Sequence, residues 1–478
     1  MLQRGMWKSG HRFSARIPRF AFGIERETCA GFAKLLKGGI SPMFIALGIL
    51  LSLIGFSPFI LTLGGQILPN LAPLFLAIGL GFVAVSLEPA EAKRFFKLTL
   101  PFIAGAAVLA LWLLLQMLPL PLWQEEPLAH ISSLAHPVWT STLGGFSQTM
   151  TGSITVDTGA TAIALVRYLC FVGVILLSTA LSISRDRAEA VLIGLTIATG
   201  LIAMIAGATR VFGGAFLIAR DEALVCTALG VSISAVAALL AYEKQAKRRM
   251  PQAPARWHFS AAFLACLAVF LVCTSVIATA GSGSLIFATA IGFSTFGAVL
   301  LVRRLELGRW GASTIGATAL VIAAALVTGA AGTSTDLRLT FVKKDAAALE
   351  LTQRILADAP ILGDGAGTFV KMLPIYQAPE VEPDDLEAVT AAAQLSIELG
   401  RPVLWAIFLA AVVAMVLLLR GAANRRRDFF YPAAGAACLV TLIILAFINV
   451  GVLGSAVPIL AGTILGLALA QSQSSQIS

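Results

Sequence analysis

Twelve apolar stretches, each close to the length that spans a bilayer, recur along this chain and leave it few possible folds. They lie near 40–63, 69–87, 98–118, 159–182, 190–212, 223–242, 259–280, 284–302, 310–332, 402–419, 430–450 and 454–470. A spanning helix needs about 20 apolar residues, whereas a soluble core would show amphipathic periodicity instead. Charged residues make up 12% of the chain, against about 25% in soluble domains. The pattern predicts an all-α polytopic membrane protein with about twelve transmembrane helices.

A net charge of +9 raises the question of nucleic acid, but the distribution of that charge answers it differently. With the N-terminus inside, the inner segments 1–39, 88–97, 183–189, 243–258, 303–309 and 420–429 hold 25 of the 34 lysines and arginines. The outer loop 119–158 holds none. Such asymmetry sets orientation and predicts both termini in the cytoplasm. The domains read as a basic cytoplasmic segment 1–39, helices one to nine over 40–332, a long outer loop 333–401, and helices ten to twelve with a short tail over 402–478. Segment 1–39 has neither a short apolar core nor a small-residue cleavage site, so it does not read as a signal peptide. Its Arg12, Arg16 and Arg19, interleaved with Phe13, Phe20 and Phe22, suit an anionic inner leaflet.

Metal and cofactor signals are lacking. The six cysteines show no CxxC spacing or disulfide framework. His130 and His136 lie in an outer loop without cysteine and with few carboxylates, so no metal site is expected there.

The long outer loop carries its own pattern. Ala346, Leu349, Ile355 and Leu356 follow helical spacing up to Pro360. Leu386, Val389, Ala393 and Ile397 form a second stripe, entered through Pro383, Asp384 and Asp385 and closed by Gly400. Between them runs Gly363-Asp364-Gly365-Ala366-Gly367-Thr368-Phe369, a turn that glycine makes readily. This predicts two amphipathic helices on the outer leaflet, joined by a glycine turn. No strand precedes that turn, so it is not a dinucleotide fingerprint. Its backbone N–H groups would nevertheless suit an anion.

Outer cations are the remaining clue. Arg167 sits about two turns inside the fourth apolar segment, at a cost of roughly 2.5–3.5 kcal/mol. It either snorkels to the outer headgroups or meets an anion. Arg210, Arg220 and Arg338 stand at outer helix ends, against the charge bias. A secondary transporter would pair such intramembrane charges, and Arg167 has no carboxylate partner within the apolar segments.

Several of these motifs together resemble the O-antigen ligase and exopolysaccharide polymerase superfamily of bacterial inner membranes. The likeness rests first on Leu115-Gln116-Met117-Leu118-Pro119-Leu120-Pro121-Leu122-Trp123, Ser153-Ile154-Thr155-Val156-Asp157 and Gly281-Ser282-Gly283-Ser284. It rests most on Asp358 to Phe369, followed by Gln394 and Glu398-Leu399-Gly400. The resemblance implies a GT-C-like glycosyltransferase in the inner membrane, with an undecaprenyl diphosphate-linked glycan as donor at the periplasmic face. It implies no metal and no cofactor. It also implies arginines that neutralise the departing diphosphate: Arg210, Arg220 and Arg338, with Arg167, Lys343 and Lys344 behind them. The family's His-Asn-Asp is replaced here by Val389, Thr390 and Ala391. Either Glu398, Glu387 or Asp385 acts as base, or the chain is a non-catalytic member that binds the glycan or partners other polysaccharide-assembly membrane proteins.

Overall fold

The structure, a computed structural model, describes residues 41–63, 67–121, 135–142, 151–212, 219–248, 260–304, 346–376, 388–425 and 428–472. Helices follow the apolar segments. They are α1 (Pro42–Leu63), α2 (Ile67–Ser86), α3 (Pro89–Gln116), α5 (Thr158–Leu181), α6 (Arg185–Phe212) and α7 (Arg220–Arg248). After these come α8 (Ala261–Thr279), α9 (Gly283–Arg304), α13 (Arg401–Asn424), α14 (Phe430–Ala446) and α15 (Val457–Ser472). The expected segment 310–332 lies outside the described residues. Several helices outrun their apolar stretch; α3 begins at Pro89, because proline fits a first helical turn.

Eight of the described helices are long and apolar enough to cross a membrane, and α14, α15 and most of α2 are shorter apolar helices. The chain is thus a polytopic α-helical membrane protein. α7 runs through the middle, with 89% of its apolar window buried, against α6, α8 and α14. α3 and α8 bury only 17% of theirs and turn Val108, Leu111 and Leu271 outward, as lipid-facing helices do.

Small residues and hydroxyls make the close crossings, as expected where lipid removes the hydrophobic drive between helices. A Cβ on Gly435 of α14 would lie 2.3 Å from Ala468 of α15, so the two backbones nearly touch. Across α5 and α15, Ser178 Oγ donates to the Thr463 carbonyl at 2.7 Å and Thr179 Oγ1 to that of Gly466 at 3.2 Å.

Contacts between helix ends divide the bundle into two poles. At one, Arg187 of α6 pairs with Glu91 of α3 at 3.1 Å, and Gln471 of α15 donates to the carbonyl of Ser182 after α5. This is the basic pole. At the other, the end of α3 and the starts of α5, α7, α13 and α15 meet the connecting segments.

Those segments include β1 (Leu120–Pro121) paired antiparallel with β2 (Thr151–Gly152), and the short α4 (Pro137–Thr142) between them. The long loop contributes α10 (Ala346–Asp358), α11 (Phe369–Tyr376) and α12 (Ala391–Leu399), and a 3-10 turn (Val450–Leu453) links α14 to α15. The loop departs from expectation in two ways. α11 is an element beyond the two expected helices, and among the described residues of the second stripe the helix starts at Ala391, where the Thr390 side chain accepts the Ala393 N–H at 3.1 Å. That cap starts the helix; Val389 is buried outside it, and Pro383, Asp384, Asp385 and Leu386 lie outside the described residues.

Candidate functional site

The loop pole is built around the end of α12. An α-helix leaves its last carbonyls without partners; here Ser396 accepts the adjoining Gly400 N–H at 3.1 Å, and the last three find partners in distant segments. Ile397 accepts the Asp364 N–H at 2.8 Å. Glu398 accepts the Gly365 N–H at 3.0 Å and the Gln116 side-chain amide at 3.2 Å. Leu399 accepts the Trp112 indole N–H at 3.2 Å. Gly400 then turns the chain into α13 at φ 92, where a Cβ would stand 2.3 Å from the Ile361 carbonyl. Only glycine fits both the angle and the space.

Gln116 is fully buried and uses both ends of its amide. Nε2 also reaches the Leu362 carbonyl at 3.3 Å, and Oε1 accepts the Ala366 N–H at 3.3 Å. Its own carbonyl accepts the Thr155 N–H. Gly363, Gly365 and Gly367 all take left-handed φ values of 80, 108 and 76. At Gly365 a Cβ would fall 1.8 Å from Thr155 Oγ1, so the loop lies directly on the Ser153–Asp157 segment. Asp157 in turn caps α5, accepting the Gly159 and Ala160 N–H groups at 2.8 and 3.1 Å.

Glu398 faces inward. Its Oε1 accepts the Gln394 amide at 2.9 Å and the Phe369 N–H, 3.4 Å away at the start of α11. Burial raises this carboxyl above the ordinary glutamate range; the N–H groups of Gly367 and Phe369, the Gln394 amide and the charge of Arg167 oppose the rise. The N–H groups of the glycine turn are thereby taken by the protein itself: two by α12 carbonyls, one by Gln116, two by Glu398. The anion facing this turn is the chain's own carboxylate.

His136 is the residue that sequence reasoning passed over. It caps α4, with Nδ1 accepting the Val138 N–H at 3.2 Å, so its proton sits on Nε2 and is donated to Asp364 Oδ1 at 3.0 Å. Both side chains are buried, and Asp364 Oδ2 has no hydrogen-bond partner. Since both imidazole nitrogens are engaged, the pair acts as a strut between the two outer loops. The sequence signal was only a histidine before a proline; its partner lies 228 residues away. Nearby, Tyr376 has its phenol pushed up by burial and by the carboxylates of Asp358 and Asp364.

The candidate cations fall into two groups. Arg167 is exposed on α5 and acts electrostatically on Glu398. Arg210 ends α6, reaching toward the Val276 and Ala280 carbonyls at 3.5 Å, and its charge feels that of Arg220 at the start of α7. Beside Arg220, Glu222 crosses to α15 and accepts the Ala456 and Val457 N–H groups. Among the described residues no hydrogen bond joins Arg167 to the Arg210–Arg220 pair. Arg338, Lys343, Lys344, Asp385 and Glu387 lie outside the described residues. Gly281-Ser282-Gly283-Ser284 forms the turn between α8 and α9, with Ser282 and Ser284 hydroxyls 3.0 Å apart.

No group of three or more His, Cys, Asp or Glu residues that could hold a metal occurs among the described residues. No protein-family model matches the chain, and no curated protein matches it.

Proposed function

We propose that this chain is a glycosyltransferase of the O-antigen ligase or polysaccharide polymerase type, moving an undecaprenyl diphosphate-linked glycan at the periplasmic face of a bacterial inner membrane. One observation carries the reading. Of the segments that carry the family resemblance, those around Gln116, Thr155, Gly363–Gly367 and Glu398–Gly400 close into a single hydrogen-bonded knot, while Gly281–Ser284 forms a separate turn. The asymmetry of lysine and arginine supports cytoplasmic termini, twelve spans and an outward-facing loop pole.

In this reading Arg210 and Arg220 hold the donor diphosphate, and Arg167 approaches it from α5. Two guanidiniums close together are costly without an anion and become productive as leaving-group charge develops. Arg338, Lys343 and Lys344 are assigned to the same diphosphate. Glu398 positions the glycine loop, and the proton of the acceptor hydroxyl goes to a carboxylate such as Glu387 or Asp385.

A second reading has its own observation: Glu398 and His136 are both fully engaged in holding structure. A chain whose buried acid and histidine are struts suits a non-catalytic member that binds the lipid-linked glycan or partners a polymerase.

Purified protein assayed with lipid-linked oligosaccharide separates the two. Turnover lost in Arg210→Ala and Arg220→Ala supports the transferase. Absent turnover with retained glycan binding supports the accessory reading, and unchanged turnover in both variants removes the diphosphate clamp.

A further inference from the structure

The glycine turn does not stand clear of the bundle. Ala366 is buried in one packed cluster with Leu109 and Leu113 of α3, Tyr168 of α5 and Ile407 of α13. All three helices are long and apolar enough to cross a membrane. Gly367 lies against α5 itself, where a Cβ would fall 3.0 Å from the Ala160 carbonyl and 3.5 Å from Ala164 Cβ. Those two residues occupy the first two turns of α5, so the glycine turn is level with the ends of spanning helices. Irregular backbone is tolerated at that depth only where protein surrounds it. Gln116 and α12 supply that cover.

The three loop helices present different faces. α12 is almost wholly buried. α10 buries Ile355 and Leu356 and turns Glu350, Gln353, Arg354 and Asp358 outward, as a water-facing helix does.

α11 has the opposite arrangement. It packs Phe369 and Leu373 against Ile355 and Leu356 of α10, and exposes Val370, Lys371, Pro374 and Ile375 on its other face. Val370 and Ile375 are 67% and 65% exposed. Ile361, whose carbonyl lies against Gly400 at the start of α13, is 72% exposed. A short helix that is apolar on both faces has no wetted side apart from its lysine. Its neighbour α5 turns Ile163 and Val166 outward directly after the Gly367 contact, so the uncovered face of α11 continues a surface that already meets lipid.

We infer that α11 and Ile361 are seated in the leaflet at the loop pole, with Ile361, Val370 and Ile375 among the phospholipid acyl chains. Interfacial helices bind membranes through such an apolar face, and the long stem of Lys371 lets its ammonium reach the headgroups. The contact falls to α11 rather than to the two striped helices, α10 staying in water and α12 inside the protein. Glu398 holds the Phe369 N–H that opens α11, so the glycine turn is fixed between the bundle and the leaflet.

The test places a benzophenone amino acid at Val370, Ile375 or Gln353 of the full-length protein in phosphatidylethanolamine–phosphatidylglycerol vesicles. After irradiation, mass spectrometry reads the adducts formed with lipid acyl chains. The Val370 and Ile375 sites should carry lipid, and the Gln353 site on α10 should carry almost none. Lipid missing from both α11 sites overturns the inference, as does equal labelling at Gln353. A crosslink from the Ile375 site to another stretch of this chain, in place of lipid, also overturns it, because protein would then cover the face. A second measurement is independent of the probe. Ile375→Asp should lower the melting temperature in these vesicles more than Gln353→Asp does, since only the first puts a charge among acyl chains; equal shifts overturn the seating.

Discussion

The side-chain amide of Gln116 donates to the backbone carbonyl of Glu398 at 3.2 Å, joining positions 282 residues apart. The same amide reaches Leu362 and Ala366, so one side chain closes the junction of α3, the glycine loop and α12. Removing it strands buried carbonyl and N–H groups at once.

Gln116→Ala should therefore loosen the glycine loop before it unfolds the bundle. Each stranded buried group costs about 1–3 kcal/mol. Hydrogen exchange over residues 361–369 should rise in the variant while α7 keeps its protection. Unchanged exchange in the loop would show that Gln116 does not anchor it.

Gly365 and Gly281 provide a matched pair. Both hold positive φ, at 108 and 71, but only Gly365 has a side chain in the way. Gly281→Ala should cost about 1–2 kcal/mol, the strain of a left-handed alanine. Gly365→Ala should cost clearly more, because its Cβ meets Thr155. Equal losses in melting temperature would contradict the contact.

Glu398 gives a pH signature. Its carboxyl is raised in the fold, chiefly by burial. Its contribution is therefore fully present below the unfolded glutamate range and is lost as pH rises through the higher folded value. Wild type should lose loop stability across that window, and Glu398→Gln should flatten the dependence. A variant with an unaltered pH profile would remove Glu398 from this role.

The His136–Asp364 pair predicts an asymmetry between its partners. His136→Ala leaves the buried Asp364 carboxylate with no side-chain partner and should cost about 3 kcal/mol, the penalty for stranding a buried charged acceptor. Asp364→Asn keeps an oxygen for the imidazole N–H and removes the unpartnered charge, so its cost should be far smaller. Chemical denaturation of both variants decides; equal losses would contradict the strut.

How much was legible beforehand differs by element. Apolar length and flanking charge mark the spanning helices, because a bilayer forces each segment to satisfy its own backbone. Pro360, the glycine run and Gly400 marked the loop's breaks, since backbone angle is a local property. α11 escaped notice because its sequence holds Pro374 and is only eight residues long. The start of α12 was misplaced because the acidic run looked like a cap, while Thr390 provides the real one.

By itself, then, the sequence determined the helical class, the approximate spans and the existence of a structured glycine loop, all consequences of local hydrophobicity and dihedral preference. Tertiary structure alone decided which partners meet. Gln116 with Glu398, His136 with Asp364 and Arg185 with Asp428 are separated by hundreds of residues, and no periodicity encodes a hydrogen bond at that range. Such pairs form because a buried polar group must find a partner, and only the folded bundle determines which one lies within reach.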